Sequence, residues 1–256
     1  MLYALAVTTL AGLSTGLGGL VVFFFKRPKE NLMAASLGFA AGVMTAVSLA
    51  DMLPHTVETY AEISGRLGGA VQSASLCAMG MVVALALARC IPDEVDRATK
   101  GPAPESAPGM LHSAMVTTAA IVMHNLPEGV LTLFTSYASP ALGAALAMAI
   151  ALHNIPEGIA ISVPVYYATG SRAKGALYAL GSGLAEPAGA LLAFSLLRSF
   201  LTPLFLNGLI ALIAGVMLYV SFSELMPQAF ATGKRAWAVG GLCVGTLIMD
   251  IGIYLV

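Results

Sequence analysis

The chain has 256 residues, of which 58% are hydrophobic and 10% charged, and its net charge is −1. A soluble domain carries about 25% charged residues, and the mean hydropathy here is +0.88, so composition excludes an ordinary soluble enzyme and points to the lipid bilayer. The sequence has no basic tract for nucleic acid. Its three cysteines, Cys77, Cys90 and Cys243, form no CxxC and lie in or beside apolar runs, which reads as small hydrophobic residues rather than a disulfide framework or metal site.

A helical span needs about 20 apolar residues to cross the hydrocarbon core. Eight segments meet that length, roughly 2–25, 32–54, 68–91, 113–137, 140–168, 175–199, 204–228 and 237–256. Helices satisfy their backbone polar groups within lipid, so the expected fold is an all-α integral membrane protein forming one domain over 1–256. The first span has no basic residue ahead of its apolar run, which predicts a retained helix rather than a cleaved signal peptide. The longest connection, about 92–112, is rich in Pro, Ala and charge and reads as a mobile loop. Lys26, Arg27, Lys29, Arg89, Arg97, Lys100, Arg172, Lys174, Lys234 and Arg235 fall on one side of this arrangement, and only Arg66 and Arg198 on the other. The positive-inside rule places the first group in the cytoplasm. Both termini of a protein in a bacterial inner membrane would then face the periplasm.

Six acids lie inside these spans: Asp51, Glu128, Glu157, Glu186, Glu224 and Asp250. A charge near the bilayer centre costs at least ~2.5–3.5 kcal/mol on insertion scales, and is tolerated beside a partner or a bound ion. No matching Lys or Arg lies at that depth, which makes a cation the expected counter-charge. Glu186 is 11 residues into its span, roughly 16 Å at ~1.5 Å per residue, or half of a ~30 Å core.

Two of these acids belong to a motif that occurs twice. MHNLPEGV at Met123–Val130 returns as LHNIPEGI at Leu152–Ile159, 29 residues later. Residues i and i+4 share a helix face, so His124 and Glu128 are expected to point together, with Asn125 close by, and His153, Asn154 and Glu157 likewise. Imidazole suits Zn, Fe and Ni, and carboxylate or carbonyl oxygen suits Mn and harder ions. The mixture favours a first-row transition metal over Ca²⁺ or Mg²⁺, and two bridging carboxylates would allow two ions. Pro127 and Pro156 cannot donate to the carbonyls four residues earlier, so a kink is expected beside each cluster.

A second repeat is longer. AGVMTAVSLADMLP at Ala41–Pro54 aligns with AGVMLYVSFSELMP at Ala214–Pro227, 173 residues later, with Asp51 on Glu224. The two copies fall on spans of opposite direction, the mark of an inverted-topology repeat. This predicts a 3+2+3 architecture, with spans 1–3 mirrored by spans 6–8 around the twin-motif pair. Asp51, with His55 beyond Pro54, is the candidate entrance acid and Glu224 the candidate exit acid; each could instead cap or pack a helix end beside Ser48, Ser221 or Ser223. Asp250 reads as an interfacial carboxylate, and His112 as a loop residue.

HNLPEG on span 4, HNIPEG on span 5 and GLAEPAG around Glu186 on span 6 resemble the ZIP (Zrt/Irt-like) metal transporters, in their bacterial ZupT-like branch. The resemblance covers essentially the whole chain. It implies import of divalent transition metals: zinc centrally, with iron, manganese and cobalt as further cargo, and no catalytic cofactor. It also implies a binuclear centre. One ion would involve His124, Glu128, His153 and Glu157. The other would involve Asn125, Glu128, Asn154, Glu157 and Glu186. Many members carry a histidine-rich loop between spans 3 and 4; this chain has no histidine there before His112.

The expected mechanism draws a hydrated cation to Asp51, strips its water at the midplane cluster and releases it past Glu224. Affinity should fall with falling pH, because the ligands must lose protons. An intramembrane metalloprotease would need HExxH and a carboxylate-bridged oxidase Glu-x-x-His pairs; the sequence has neither. A passive metal channel remains an alternative to a carrier. The partners expected are divalent metal ions and the lipid bilayer. Small-residue faces such as Gly12–Gly16 suit helix packing within the chain or in a homodimer.

Overall fold

A computed structural model describes residues 1–24, 30–90, 110–196 and 202–255. Lys26, Arg27, Lys29, Arg97, Lys100 and Arg198, and most of the 92–112 loop, lie outside the described residues. The described chain is helical almost throughout. Its α-helices are α1 (Leu2–Gly19), α2 (Glu30–Ala46), α3 (Leu53–Cys90), α4 (Met110–Ala138), α5 (Pro140–Thr169), α6 (Arg172–Gly183), α7 (Ala185–Leu196), α8 (Pro203–Tyr219), α9 (Met226–Ala231) and α10 (Arg235–Leu255).

Among the described residues, six helical stretches are long and apolar enough to cross a membrane: Leu2–Phe24, Glu30–Cys90, Pro140–Thr169, Arg172–Leu196, Pro203–Ala231 and Arg235–Tyr254. This is a multi-pass membrane protein. Large apolar side chains such as Leu10, Leu142, Leu192 and Leu247 are exposed on its outer surface, where lipid tails replace water. Helix α4 is not among the six. It carries His124, Asn125 and Glu128 and packs against α1, α5, α7 and α8, and a helix wrapped by others can hold polar groups that a lipid-facing helix cannot.

The Glu30–Cys90 stretch is 61 residues long, roughly 90 Å at ~1.5 Å per residue and far more than one crossing. It is divided at Gly65, whose φ of 73° and ψ of 167° interrupt the helix. The helix therefore runs ten residues past the predicted end of span 2 before it breaks, carrying His55, Glu58 and Glu62. Pro54 does not end it, because Val47–Met52 forms a π-helical turn just ahead. The wider turn takes the carbonyls out of the way of a ring that would clash with them.

The second copy of the repeat does the same. Val220–Leu225 is a π-helical turn ahead of Pro227, at the positions that match Val47–Met52. Ser48 and Ser221 each donate to the carbonyl four residues back, Met44 and Met217, both at 2.8 Å. These hydroxyls serve their own helices, not Asp51 or Glu224.

Helix packing repeats in the same register. Helix α2 packs chiefly on α10 and α8 on α3, while α1 packs on α5 and α7 on α4. Gly42 lets α2 approach the backbone carbonyl of Leu242, and its match Gly215 lets α8 approach that of Cys77; a Cβ at either would collide with that oxygen. Span 6 is not one helix as expected. It breaks at Leu184 between α6 and α7, where Pro187 offers no N–H to the carbonyl of Gly183. The Gly12–Gly16 face is used within the chain, against Gly183 and Leu180 of α6. The three cysteines are free thiols.

Candidate metal site

Helices α4, α5 and α7 bring all seven predicted ligand residues together in the interior. His124, Asn125, Glu128, His153, Asn154, Glu157 and Glu186 are each 3% exposed or less. Gly129 lets α4 approach α7, and Gly158 lets α5 approach α1. A Cβ on Gly129 would strike the carbonyl of Glu186, and one on Gly158 that of Thr15. Pro127 and Pro156 lie inside α4 and α5 without ending either helix.

The pairing differs from the i, i+4 expectation. Each imidazole meets the carboxylate of the other helix: His153 Nε2 shares a hydrogen bond with Glu128 Oε1 at 2.7 Å, and His124 Nε2 with Glu157 Oε1 at 3.0 Å. The two motifs clasp one another across the helix pair. Among the described residues, no three His, Cys, Asp or Glu side chains converge in a geometry ready to grip an ion.

The amides are oriented by their nitrogens. Asn125 Nδ2 donates to the Ser182 carbonyl at 3.1 Å, and Asn154 Nδ2 to the Ala11 carbonyl at 2.9 Å and to Glu186 Oε1 at 2.5 Å. Each amide oxygen is thereby left over. The same holds across the cluster: His124 Nδ1, Asn125 Oδ1, Glu128 Oε2, His153 Nδ1, Asn154 Oδ1, Glu157 Oε2 and Glu186 Oε2 are buried without a hydrogen-bond partner. Buried polar atoms are ordinarily paired. Seven polar atoms, one on each of seven neighbouring residues, are left unpaired, and carboxylate, amide oxygen and neutral imidazole are donor types suited to a first-row cation.

A cavity of about 330 Å³ opens onto two of these seven residues. Asp51, His55 and Leu142 stand among its walls, with Glu128 and His153 at its buried end. Asp51 and His55 are exposed. The predicted entrance acid thus shares a cavity with one His–Glu pair; the other pair, His124 and Glu157, does not line it. Glu224, the predicted exit acid, is half-buried in the second π turn, and Asp250 is exposed in α10. His112 sits in the first turn of α4, not in a loop.

Sequence reading missed a third internal relation. GLSTGLGG at Gly12–Gly19 aligns with GLAEPAGA at Gly183–Ala190, 171 residues on. It places Thr15 on Glu186, and it places Ala11, the acceptor for Asn154, on Ser182, the acceptor for Asn125. Thr15 is fully buried and its hydroxyl is also orphaned. The recurrent Gly-Leu at the start of each segment was the available signal, diluted by the abundance of Gly and Leu in any membrane helix.

The helices and the buried cluster define a multi-pass membrane protein built around a core of buried polar side chains. Residues 92–251 match the family described as ZIP Zinc transporter. The chain is 38% identical to the Zinc transporter ZupT of Corynebacterium efficiens, covering 100% of this chain and 97% of that protein. It is 40% identical to that of Corynebacterium glutamicum, covering 100% and 99%, and 38% identical to that of Akkermansia muciniphila, covering 98% and 96%. The chain belongs to the ZIP zinc transporter family, in its ZupT-like branch, and is a transporter rather than an enzyme.

Proposed function

We propose that this protein imports divalent transition-metal cations, zinc above all and Fe²⁺, Mn²⁺ and Co²⁺ with it, into the cytoplasm through a binuclear site at mid-bilayer. The observation that carries this reading is the set of seven orphaned donor atoms on the seven cluster residues. Imidazole nitrogen mixed with amide and carboxylate oxygen suits first-row metals. The names of the curated relatives support zinc as cargo. One ion would take donors from His124, Glu128, His153 and Glu157. The other would take them from Asn125, Glu128, Asn154, Glu157 and Glu186.

In this reading eight crossings are arranged 3+2+3, with Gly65 separating the second from the third and α4 the fourth. Spans 1–3 are inverted on spans 6–8, both termini lie outside, and the 92–112 loop is cytoplasmic. The matched π turns and the exchanged helix pairs support this repeat. A hydrated cation enters by Asp51 and His55, and the cavity guides it to Glu128 and His153. Binding exchanges the His–Glu hydrogen bonds for bonds to the ion. The passage then opens toward Glu224. The cavity of Asp51 and His55 ends at Glu128 and His153, and neither His124 nor Glu157 lines it; this supports a carrier over a passive channel, which would need a continuous path.

The test is saturable zinc uptake into liposomes by the purified protein beside a Glu128→Ala, Glu157→Ala double variant. Uptake that the double variant loses is the expected result. A protein that binds zinc tightly and moves none would overturn the reading.

A further inference from the structure

The internal repeats assign a counterpart to each wall of the open cavity. Asp51 and His55 map on Glu224 and Gln228 by the offset of 173; Leu146 and Ala149 of α5 map on Thr117 and Ala120 of α4 by the offset of 29. The same exchange turns the Glu128–His153 pair at the buried end of the cavity into the Glu157–His124 pair. The counterpart of the open mouth is therefore a set of residues leading from His124 and Glu157 toward α9.

That set is closed. Thr117, Ala120, Ile121 and Val220 are at most 1% exposed, and Gln228 6%. Ala120, Ile121, Val220 and Leu225 belong to the main hydrophobic core. Within this packing Gln228 Nε2 of α9 donates to Thr117 Oγ1 of α4 at 3.3 Å. Gln228 Oε1 is buried without a partner, an unusual polar group to keep in an apolar plug. Thr117, Ile121, His124 and Glu128 follow the i, i+4, i+7, i+11 spacing of one helix face, so the contact sits two turns from the cluster along the same stripe. Glutamine and threonine buried here cost more than an apolar pair of the same shape, and the cost falls when the two separate into water. An orphaned Gln228 oxygen regains water once the plug opens.

We propose that the Gln228–Thr117 hydrogen bond is the latch that holds the inner passage shut, so that these two are positioning residues that act through the packing of α4 on the Val220–Leu225 turn rather than by ligating the ion. This rests on the transport reading. When the latch parts, α9 and its π turn move from α4 and expose His124 and Glu157 to the cytoplasm, as Asp51 and His55 now stand open at the other end.

The test places a cysteine at Ala120 in protein whose Cys77, Cys90 and Cys243 are serine, and follows its modification by a charged thiol reagent. Thr117→Val keeps the shape and removes the hydroxyl. It should label about fivefold faster than the parent, the shift that loss of one buried hydrogen bond implies, while Thr117→Ser should label at the parent rate. Gln228→Leu provides the same reading should Thr117→Val fold poorly. Equal rates in Thr117→Val and the parent, or Thr117→Ser as fast as Thr117→Val, would overturn the latch. A second arm joins Thr117→Cys to Gln228→Cys with a short bifunctional thiol reagent. Zinc should still stabilise the joined protein against heat, and its uptake into liposomes should stop. Uptake that continues in the joined protein overturns the latch alone, whereas an unmodified parent that moves no zinc overturns the transport reading beneath it.

Discussion

The Asp51 end and the Gln228 end of the molecule share a backbone plan and differ in what fills it. Both have a π-helical turn ahead of a proline, and both have a serine bonded back to its own helix. At one end a cavity reaches Glu128 and His153. At the other, core side chains and the Gln228–Thr117 contact cover the approach to Glu157 and His124. Matching sequence thus supplies two ends of one backbone plan, while the helix packing leaves a cavity at one and fills the other with side chains. A second asymmetry lies at the centre, where Glu186 stands in one half and Thr15 in the other. A carboxylate on one side only adds a third acid to the Glu128 and Glu157 pair and gives the donor set a direction that a symmetric site would lack.

The largest expected effect comes from breaking the centre, which both ends serve. Losing both carboxylates in Glu128→Ala, Glu157→Ala should cut zinc uptake by at least about 100-fold, since even supporting residues of metal sites cost 10–100-fold. The same variant should lose thermal stabilisation by zinc, which for intact protein at about 100 times the dissociation constant is ~2.7 kcal/mol and should be reversed by a chelator. Next come the helix contacts that hold the halves together. Gly129→Val and Gly158→Val each force a side chain into backbone and should lower stability by about 1–3 kcal/mol or more, read by thermal unfolding. If only one of the two destabilises, the symmetric packing of the halves is wrong. A smaller effect tests the open end. Asp51→Asn should raise the zinc concentration for half-maximal uptake about fivefold and leave the saturating rate alone, because the loss is of local electrostatic attraction; a changed saturating rate would make Asp51 part of the moving machinery. The smallest is Asp250→Asn. That side chain is exposed, and stability should move by no more than ~0.5 kcal/mol, with uptake unchanged.

Much of this arrangement is legible in the chain. Both copies of HNxPEG, the depth of Glu186 and the Ala41–Pro54 repeat lead to seven residues that the fold does gather. The boundaries of α5, α8 to α9 and α10 fall within a few residues of the apolar runs. Other features were hidden. Periodicity puts His124 with Glu128, yet the bonds run His124 to Glu157 and His153 to Glu128, because two close helices bring facing residues nearer than one turn of the same helix does. The break at Leu184 looked like an uninterrupted apolar run, and the extension to Ser64 looked like a loop, since Glu58 and Glu62 are polar outside the lipid whatever the backbone does.

The sequence by itself determined the environment, the helical class, the cluster and its chemistry. Hydrophobic length and the scarcity of charge suffice for the first two, and the cost of burying acids without counter-charge suffices for the others. Tertiary structure alone decided the cross-helix His–Glu clasp, the orphaned amide oxygens, and which of two matched ends is open. Those depend on side chains 25 to 111 residues apart meeting across helices, a proximity that spacing along the chain does not encode.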